Sequence, residues 1–291
     1  MATHSAFDYA QAFCRNLGLL TPDDQARLRQ TTIAIPGMGG VGGHHLLSLT
    51  RLGVGRFVIA DGDVFDLPNM NRQAGATIQT LGQSKVAVMA AMALAINPEL
   101  SLRTVPEALH QGNLDAFLSG CALVVDGLDF FQIRIRRVLF RRARELGLTV
   151  VTAGPLGFSA ATLIFTPDSP SFDEFLGIHD GMPEQEQLIR FALALAPAGL
   201  HLPYLDRAAL NIPERRGPSS VIAVELCAAI AATEILHLIL KRRPPLVVPW
   251  YSQFDPHRRQ YRIGKLPLGN RHPLQRLKLW YLRRWLERSE R

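Results

Sequence analysis

Apolar runs and polar breaks alternate along the first half of the chain in a way that predicts strand–helix units. Ile33-Ala34-Ile35 is a short continuous apolar run, the mark of a strand buried on both faces. A turn through Gly37-Met38-Gly39-Gly40-Val41-Gly42 follows it. Then Leu46, Leu47, Leu49 and Leu52 fall into a helical pattern that Gly53 and Gly55 stop. A second run, Phe57 to Ala60, ends on Asp61. The same logic predicts a helix over 82–95 closed by Asn97-Pro98, a short strand over 100–105 and a short helix over 114–118. A third buried strand over 121–126 delivers Asp126 and Asp129 to the loop at its carboxyl end. A basic helix over 132–146, a strand over 149–153 and an alternating antiparallel strand over 160–165 come next.

The flanks are less regular. Residues 7–30 read as a helix in two pieces, the second opened by Thr21 as N-cap, Pro22 at the first position and the acids Asp23 and Asp24. Residues 62–82 have little periodicity yet hold Asp63, Asn69, Asn71, Arg72 and Gln73, and a long irregular stretch inside a compact domain is usually functional. Residues 169–218, rich in Pro, Gly and acids, read as an insertion with a helix near 185–195. A long apolar helix over 219–240, a strand pair over 249–263 and a terminal helix over 272–291 complete the chain. Glu225, Glu234 and His237 interrupt the apolar helix, so it reads as buried rather than membrane-spanning.

Composition changes this picture in two places. At 47% hydrophobic and 20% charged, the 291 residues fit an ordinary globular protein with length for a sizeable core. From Lys241 onward there are 14 basic and 3 acidic residues, against 18 and 22 in the first 240, so the net charge of +7 belongs to the tail. Cys14, Cys121 and Cys227 stand far apart with no CxxC pair, which gives neither a four-cysteine zinc site nor a disulfide framework. Met1 to Asp8 lacks a basic stretch followed by an apolar one, and with the cysteine usage this leads to the expectation of a cytoplasmic protein.

Strand, glycine turn, helix, strand and terminal acid make the fingerprint of a nucleotide-binding βαβ unit. Gly37 permits the tight turn, Gly39 and Gly40 let backbone N–H groups approach phosphate, and Gly42 allows close helix–strand packing. Asp61 is placed to accept hydrogen bonds from a ribose. A glycine turn closing a parallel sheet without a ligand is the bland alternative, and Asp61 weighs against it. Fold class on this reading is α/β, a Rossmann-like mixed sheet with a parallel nucleotide-binding half, an antiparallel extension and a basic C-terminal helix.

Five blocks in one order carry more than the glycine motif does: Gly37–Gly42, Asp61-x-Asp63, Asn69-Met70-Asn71-Arg72-Gln73, Gly82-Gln83-Ser84-Lys85 and Asp126-Gly127-Leu128-Asp129. Together they resemble the ThiF/MoeB/HesA family, bacterial relatives of ubiquitin-activating E1 enzymes. The resemblance covers roughly Arg15 to Phe165 and the apolar helix. It implies ATP over the glycine turn, with Asp61 at the ribose, Asp63 in the same motif, Asn69, Arg72 and Lys85 on the triphosphate, and Gln73 positioning the nucleotide. Asp129 would hold Mg²⁺, and Arg15 would reach as an arginine finger into the neighbouring subunit of a homodimer. The implied reaction is adenylation of a carboxylate with release of pyrophosphate. Under the resemblance the chain divides into an N-terminal helical segment (1–30), an ATP-binding Rossmann-like domain (31–168) and a substrate-facing insertion (169–218). A completing helix and strands (219–270) and a basic tail (271–291) follow.

Departures from the family pattern matter as much. The paired CxxC motifs that bind zinc in many members are absent, so no structural zinc is expected. Leu128-Asp129-Phe130 stands where relatives often have Thr-Asp-Asn, and no cysteine sits at a thioester position: Cys227 reads as core and Cys121 as the opening of a buried strand. Asp126 reads as a strand-end hydrogen bonder, Arg134 as support for the Asp126–Asp129 loop, and His44 and His45 as helix surface or core. The expected partner is a carboxylate-bearing substrate: the C-terminus of a ubiquitin-like carrier, a ribosomal peptide, a modified tRNA base as in the related dehydratase branch, or a small molecule. Nucleic acid is less favoured. An NAD-dependent oxidoreductase would fit the glycines and Asp61 but give Arg72, Lys85 and Asp129 no work; a catalytically silent E1-like scaffold is a third reading. In the tail, Leu274, Leu277, Tyr281 and Trp285 form a helical stripe with Arg276, Arg283 and Arg284 beside it. Packing on the protein's own surface is the first expectation for that stripe, docking to an acidic partner the second.

Overall fold

A computed structural model describes residues 7–206 and 217–289, with side chains described as far as Arg284. Residues 207–216 of the expected insertion, and the Trp285 side chain of the expected tail stripe, lie outside the described residues. Strands β1 (Thr32–Pro36), β2 (Arg56–Ala60), β3 (Ser101–Val105), β4 (Leu123–Asp126) and β5 (Thr149–Leu156) are parallel. Strands β6 (Ser159–Phe165), β7 (Trp250–Asp255) and β8 (Gln260–Lys265) continue the sheet antiparallel, in the order β3-β2-β1-β4-β5-β6-β7-β8.

Both faces of the parallel half are covered, which is why its strands read as unbroken apolar runs. Ile33, Ile35, Phe57, Ile59 and Val125 point into one core with helices α3 (Gly40–Arg51), α4 (Lys85–Ile96) and α9 (Val221–Leu240). Ala34, Val58, Ala60, Val124 and Val150 point into the other with α5 (Leu114–Leu118), α6 (Ile133–Glu145) and α8 (Glu184–Leu195). Helix α9 has the length and hydropathy of a membrane span, but its Ala223, Val224, Cys227, Ala228, Ala231, Ala232 and Ile235 face is buried. The small side chains let it lie close against α3, β5 and β6.

The N-terminal pieces are α1 (Tyr9–Ala12) and α2 (Pro22–Gln30), and α2 opens with a capping box between Thr21 and Asp24 and with Pro22 at its start. Strand β5 runs three residues further than the pattern predicted, because Gly154–Leu156 zip onto Ala161–Ser159 in a hairpin that turns at Gly157. Cys121 lies before β4 rather than opening it. A short helix, α7 (Phe172–Leu176), was not expected; Ser171 and Glu174 form its capping box.

The terminal helix α10 (Pro273–Ser289) packs against α8, but through a different face from the predicted stripe. Gln275 and Leu279 are buried and Lys278 donates to the Pro197 carbonyl, whereas Leu274, Leu277 and Tyr281 stand 62%, 61% and 55% exposed. The helix is apolar on two faces, and Leu279 is the residue that joins the core with Ile189 and Leu193 of α8.

His45 of α3 is core, as expected, at 1% exposure, and neither ring nitrogen meets a partner among the described residues. Burial holds the ring neutral, its pKa pushed down to about 3. The unfolded chain protonates this ring below roughly 6.5. Between that pH and about 3 the unfolded state therefore binds the extra proton, and stability falls as pH falls. His45→Leu should remove about 1.4 kcal/mol of that fall per pH unit. Thermal melts at two pH values, one on each side of the free-histidine pKa, check this, and equal drops in parent and variant would refute it.

Candidate functional site

The site starts where the strand order reverses, between the carboxyl ends of β1 and β4. Gly37 leaves β1 at φ +85°, and its N–H donates to the Ala60 carbonyl at 2.7 Å. A Cβ on Gly42 would collide with the Gly37 carbonyl, and one on Gly37 with the Gly127 carbonyl. Three backbones thus meet without side chains, and α3 begins directly above them. A Cβ on Gly39 would meet only the Gln73 side chain, with Nε2 at an ordinary contact distance of 3.7 Å, so no backbone closes over this part of the turn.

Asp61 does a second task there. Its two oxygens accept from Met38 N–H at 2.6 Å and Asp63 N–H at 2.8 Å, which pins the turn to the end of β2. Burial pushes its carboxyl pKa up, against those two hydrogen bonds. Asp63 accepts from Lys85 Nζ at 3.3 Å, and Lys85 is 8% exposed at the start of α4. Arg72 and Gln73 come over the glycines from the other side, with Arg72 Cγ 3.6 Å from a Cβ position on Gly40. The Arg72 guanidinium donates to the Pro68 carbonyl and to Asn71 Oδ1, both at 2.9 Å. Asn69 accepts from Asp66 N–H and holds the turn that leads to Arg72. Gln73 is buried and its Oε1 has no partner among the described residues.

Asp126 is the strand-end hydrogen bonder expected, and Asp129 differs from it in exposure. Asp126 is buried and accepts from Arg136 Nε at 2.8 Å, Thr152 Oγ1 at 2.8 Å and Leu128 N–H at 3.1 Å. Asp129 is exposed, two residues past Gly127, and one oxygen accepts from Phe131 N–H. The arginine that supports this loop is Arg136, not Arg134. Arg136 also donates to the carbonyls of Leu128, Asp129 and Phe130, while Arg134 is an outward side chain paired with Glu184. The signal was available: Arg136 shares the helical phase of Ile133 and Phe140, the buried stripe of α6.

Arg15 is not brought to this site by its own chain. It is exposed in a short 3₁₀ turn, and the next residue, Asn16, donates to the Leu52 carbonyl beyond the far end of α3. The helix runs on from Gly42, the last glycine of the turn, to Arg51 before that end is reached, about 14 Å along its axis.

A family model described as the ThiF family matches residues 13–277. The chain belongs to the ThiF family. Among curated relatives, the tRNA threonylcarbamoyladenosine dehydratase of Haemophilus influenzae is 32% identical over 151 residues, 52% of this chain and 57% of the relative. The SAMP-activating enzyme E1 of Haloferax volcanii is 28% identical over 151 residues, again 52% of this chain, and 55% of that protein. The chain therefore aligns with little more than half the length of these relatives. Among solved structures, E. coli MccB with ATP superposes with a TM-score of 0.62 at 18% identity, covering 84% of this chain and 65% of that one. E. coli tRNA N6-threonylcarbamoyladenosine dehydratase gives 0.60 at 19%, covering 80% and 95%. At those identities the likeness is one of fold.

Within this ThiF fold the departure at Leu128 and Phe130 has a packing reason. Phe130 stacks on Phe191 of α8 with ring centroids 5.5 Å apart, and Leu128 packs against the same core. The loop bearing Asp129 is thus anchored by apolar contact to the segment after β6. Sequence reasoning named Gly127 and Asn71 as members of their blocks but gave them no role, and it missed Arg136 and Thr152, which belong to no motif whose spacing announces them. Arg136→Met should cost about 3–5 kcal/mol, because it leaves the Asp126 carboxylate buried and unpaired. Arg134→Met should cost less than about 1 kcal/mol, because its pair is largely solvated. Urea unfolding of both variants measures the difference, and equal midpoints would contradict the assignment.

Proposed function

We propose that this chain is an ATP-dependent adenylyltransferase that acts on a carboxylate. The observation that carries the reading is the placing of Lys85, Arg72 and exposed Asp129 on segments that border one glycine turn. The residues fit the nucleotide. The backbone at Gly39, over which no other backbone closes, suits phosphate approach, Asp61 keeps lone pairs for a ribose, and the unpartnered Gln73 Oε1 awaits a donor. They fit magnesium too, which commonly takes one or two carboxylates and phosphate oxygens, and Asp129 supplies one. Among the described residues no three His, Cys, Asp or Glu side chains gather to hold a metal by themselves.

The carboxylate oxygen of the substrate attacks the α-phosphorus, a P–O bond forms, and pyrophosphate leaves with the bonding pair. The chain's own residues position and neutralise. Lys85 and Arg72 set fixed positive charge where negative charge grows on the leaving group, and no protein nucleophile takes part. Support for the general reaction comes from relatives named as a SAMP-activating enzyme and a molybdopterin-synthase adenylyltransferase, the latter qualified as probable. For the substrate we favour the C-terminus of a small carrier protein or a ribosomal peptide. The solved structure of E. coli MccB together with MccA-N7isoASN encourages the second. We further propose a cytoplasmic homodimer in which Arg15, far from the glycine turn of its own chain, reaches the partner's site.

Asp129→Ala should lower ATP–pyrophosphate exchange at least about 100-fold with an unchanged melting temperature. Calorimetry should show ATP with Mg²⁺ binding and NAD not. Tight NAD binding, or retained exchange in the variant, overturns the assignment, and ATP binding without exchange against any carboxylate leaves the silent scaffold. For the dimer, mixed Arg15→Ala and Asp129→Ala subunits should recover part of the activity. No recovery in a confirmed mixed dimer refutes the shared site.

A further inference from the structure

Helix α10 is held to the protein by one face and presents a second one outward. Its inner face is fixed by Leu279, by Gln275 and Lys278 bonded to the carbonyls of Leu193 and Pro197, and by Arg283 on Glu186. Leu274, Leu277, Trp280 and Tyr281 stand about half exposed or more, with Arg276 and Arg284 among them. At 100° per residue these six occupy an arc of about 160°. The Arg284 guanidinium lies over the Trp280 ring, 4.1 Å from its centroid. Beside this face runs a groove of about 600 Å³ lined by Arg190, Pro273, Arg276, Leu277, Leu279, Trp280 and Arg283. Arg190 and Arg283 share the single carboxylate of Glu186, so the groove keeps positive charge over an apolar floor.

We propose that this face docks on an anionic phospholipid surface. The helix lies flat at the headgroup level with Leu277, Trp280 and Tyr281 directed into the acyl boundary. Arg276 and Arg284 engage lipid phosphates. Charge complementarity selects this occupant, because Arg276 and Arg284 lie on the face and the chain from Lys241 onward carries 14 basic residues against 3 acidic ones. The apolar content selects it over nucleic acid, whose backbone contacts use cations and polar groups rather than exposed leucines. Trp and Tyr on one amphipathic face suit the interface between headgroups and chains.

The test uses the full chain floated with vesicles of phosphatidylcholine alone or with about a third phosphatidylglycerol. The parent should partition onto the anionic vesicles, not the neutral ones, and release as salt rises, since the attraction is screened. Leu277→Ser with Trp280→Ser should cut partitioning at least about tenfold, and Arg276→Gln with Arg284→Gln should cut it and flatten the salt dependence. All these positions are on the surface, so melting temperatures and pyrophosphate exchange should not move. Failure of the adenylation reading would leave this result intact. No partitioning of the parent, or equal partitioning of the Leu277/Trp280 variant, overturns the proposal. So does loss of self-association in that variant without vesicles, which would make the face a contact between copies, or preferential capture of RNA by the parent.

Discussion

Gly37, Gly42 and Gly127 meet where no Cβ would fit, and the rest of the site is measured from that contact. It brings the ends of β1 and β4 together at the point where the strand order reverses, with the start of α3 directly above. An α/β sheet always leaves a crevice there, but its width is set by how closely the two loops approach. Here the approach is limited only by backbone. Asp61 then ties the turn to β2, and through Asp63 and Lys85 the same tie reaches α4.

The other wall of the crevice is held differently. Asp126, Arg136 and Thr152 form a fully buried polar knot, and Arg136 spends its remaining donors on three carbonyls of the Asp129 loop. Such a pair contributes little net stability but makes one geometry much better than its neighbours, because any displacement strands a buried charge. Phe130 and Leu128 add apolar anchorage to α8. Asp129 therefore sits exposed on a loop whose backbone is firmly fixed, an arrangement suited to a carboxylate that must meet a ligand at a set place.

Much of this was legible in the sequence, for reasons specific to each residue. Strands β1, β2 and β4 announced themselves because burial on both faces demands unbroken apolar runs, and Asp61 because it closes the second of them. Gly127 was not legible as a third member of the glycine contact: its partner is more than eighty positions away, and no local pattern reports a backbone collision. Arg136 was hidden among other arginines on α6, although its phase marked it as inward. The orientation of α10 could not be read either. With Leu274 and Leu277 on one face and Leu279 on another, periodicity finds an amphipathic helix twice over, and only the shape of α8 decides which face is inside.

Asn71 makes one further point about the long apolar helix. Its side chain accepts from the Arg72 guanidinium and donates to the carbonyl of Ser219, 148 residues along the chain. Ser220, the cap of α9, in turn donates to the carbonyl of Gly157 at the hairpin tip. A cation over the glycine turn, the head of a twenty-residue helix and the corner of the antiparallel strands are thereby strung on one line of hydrogen bonds. The place where α9 begins therefore helps to set the aim of Arg72, so the helix orients the site's cation as well as walling its sheet.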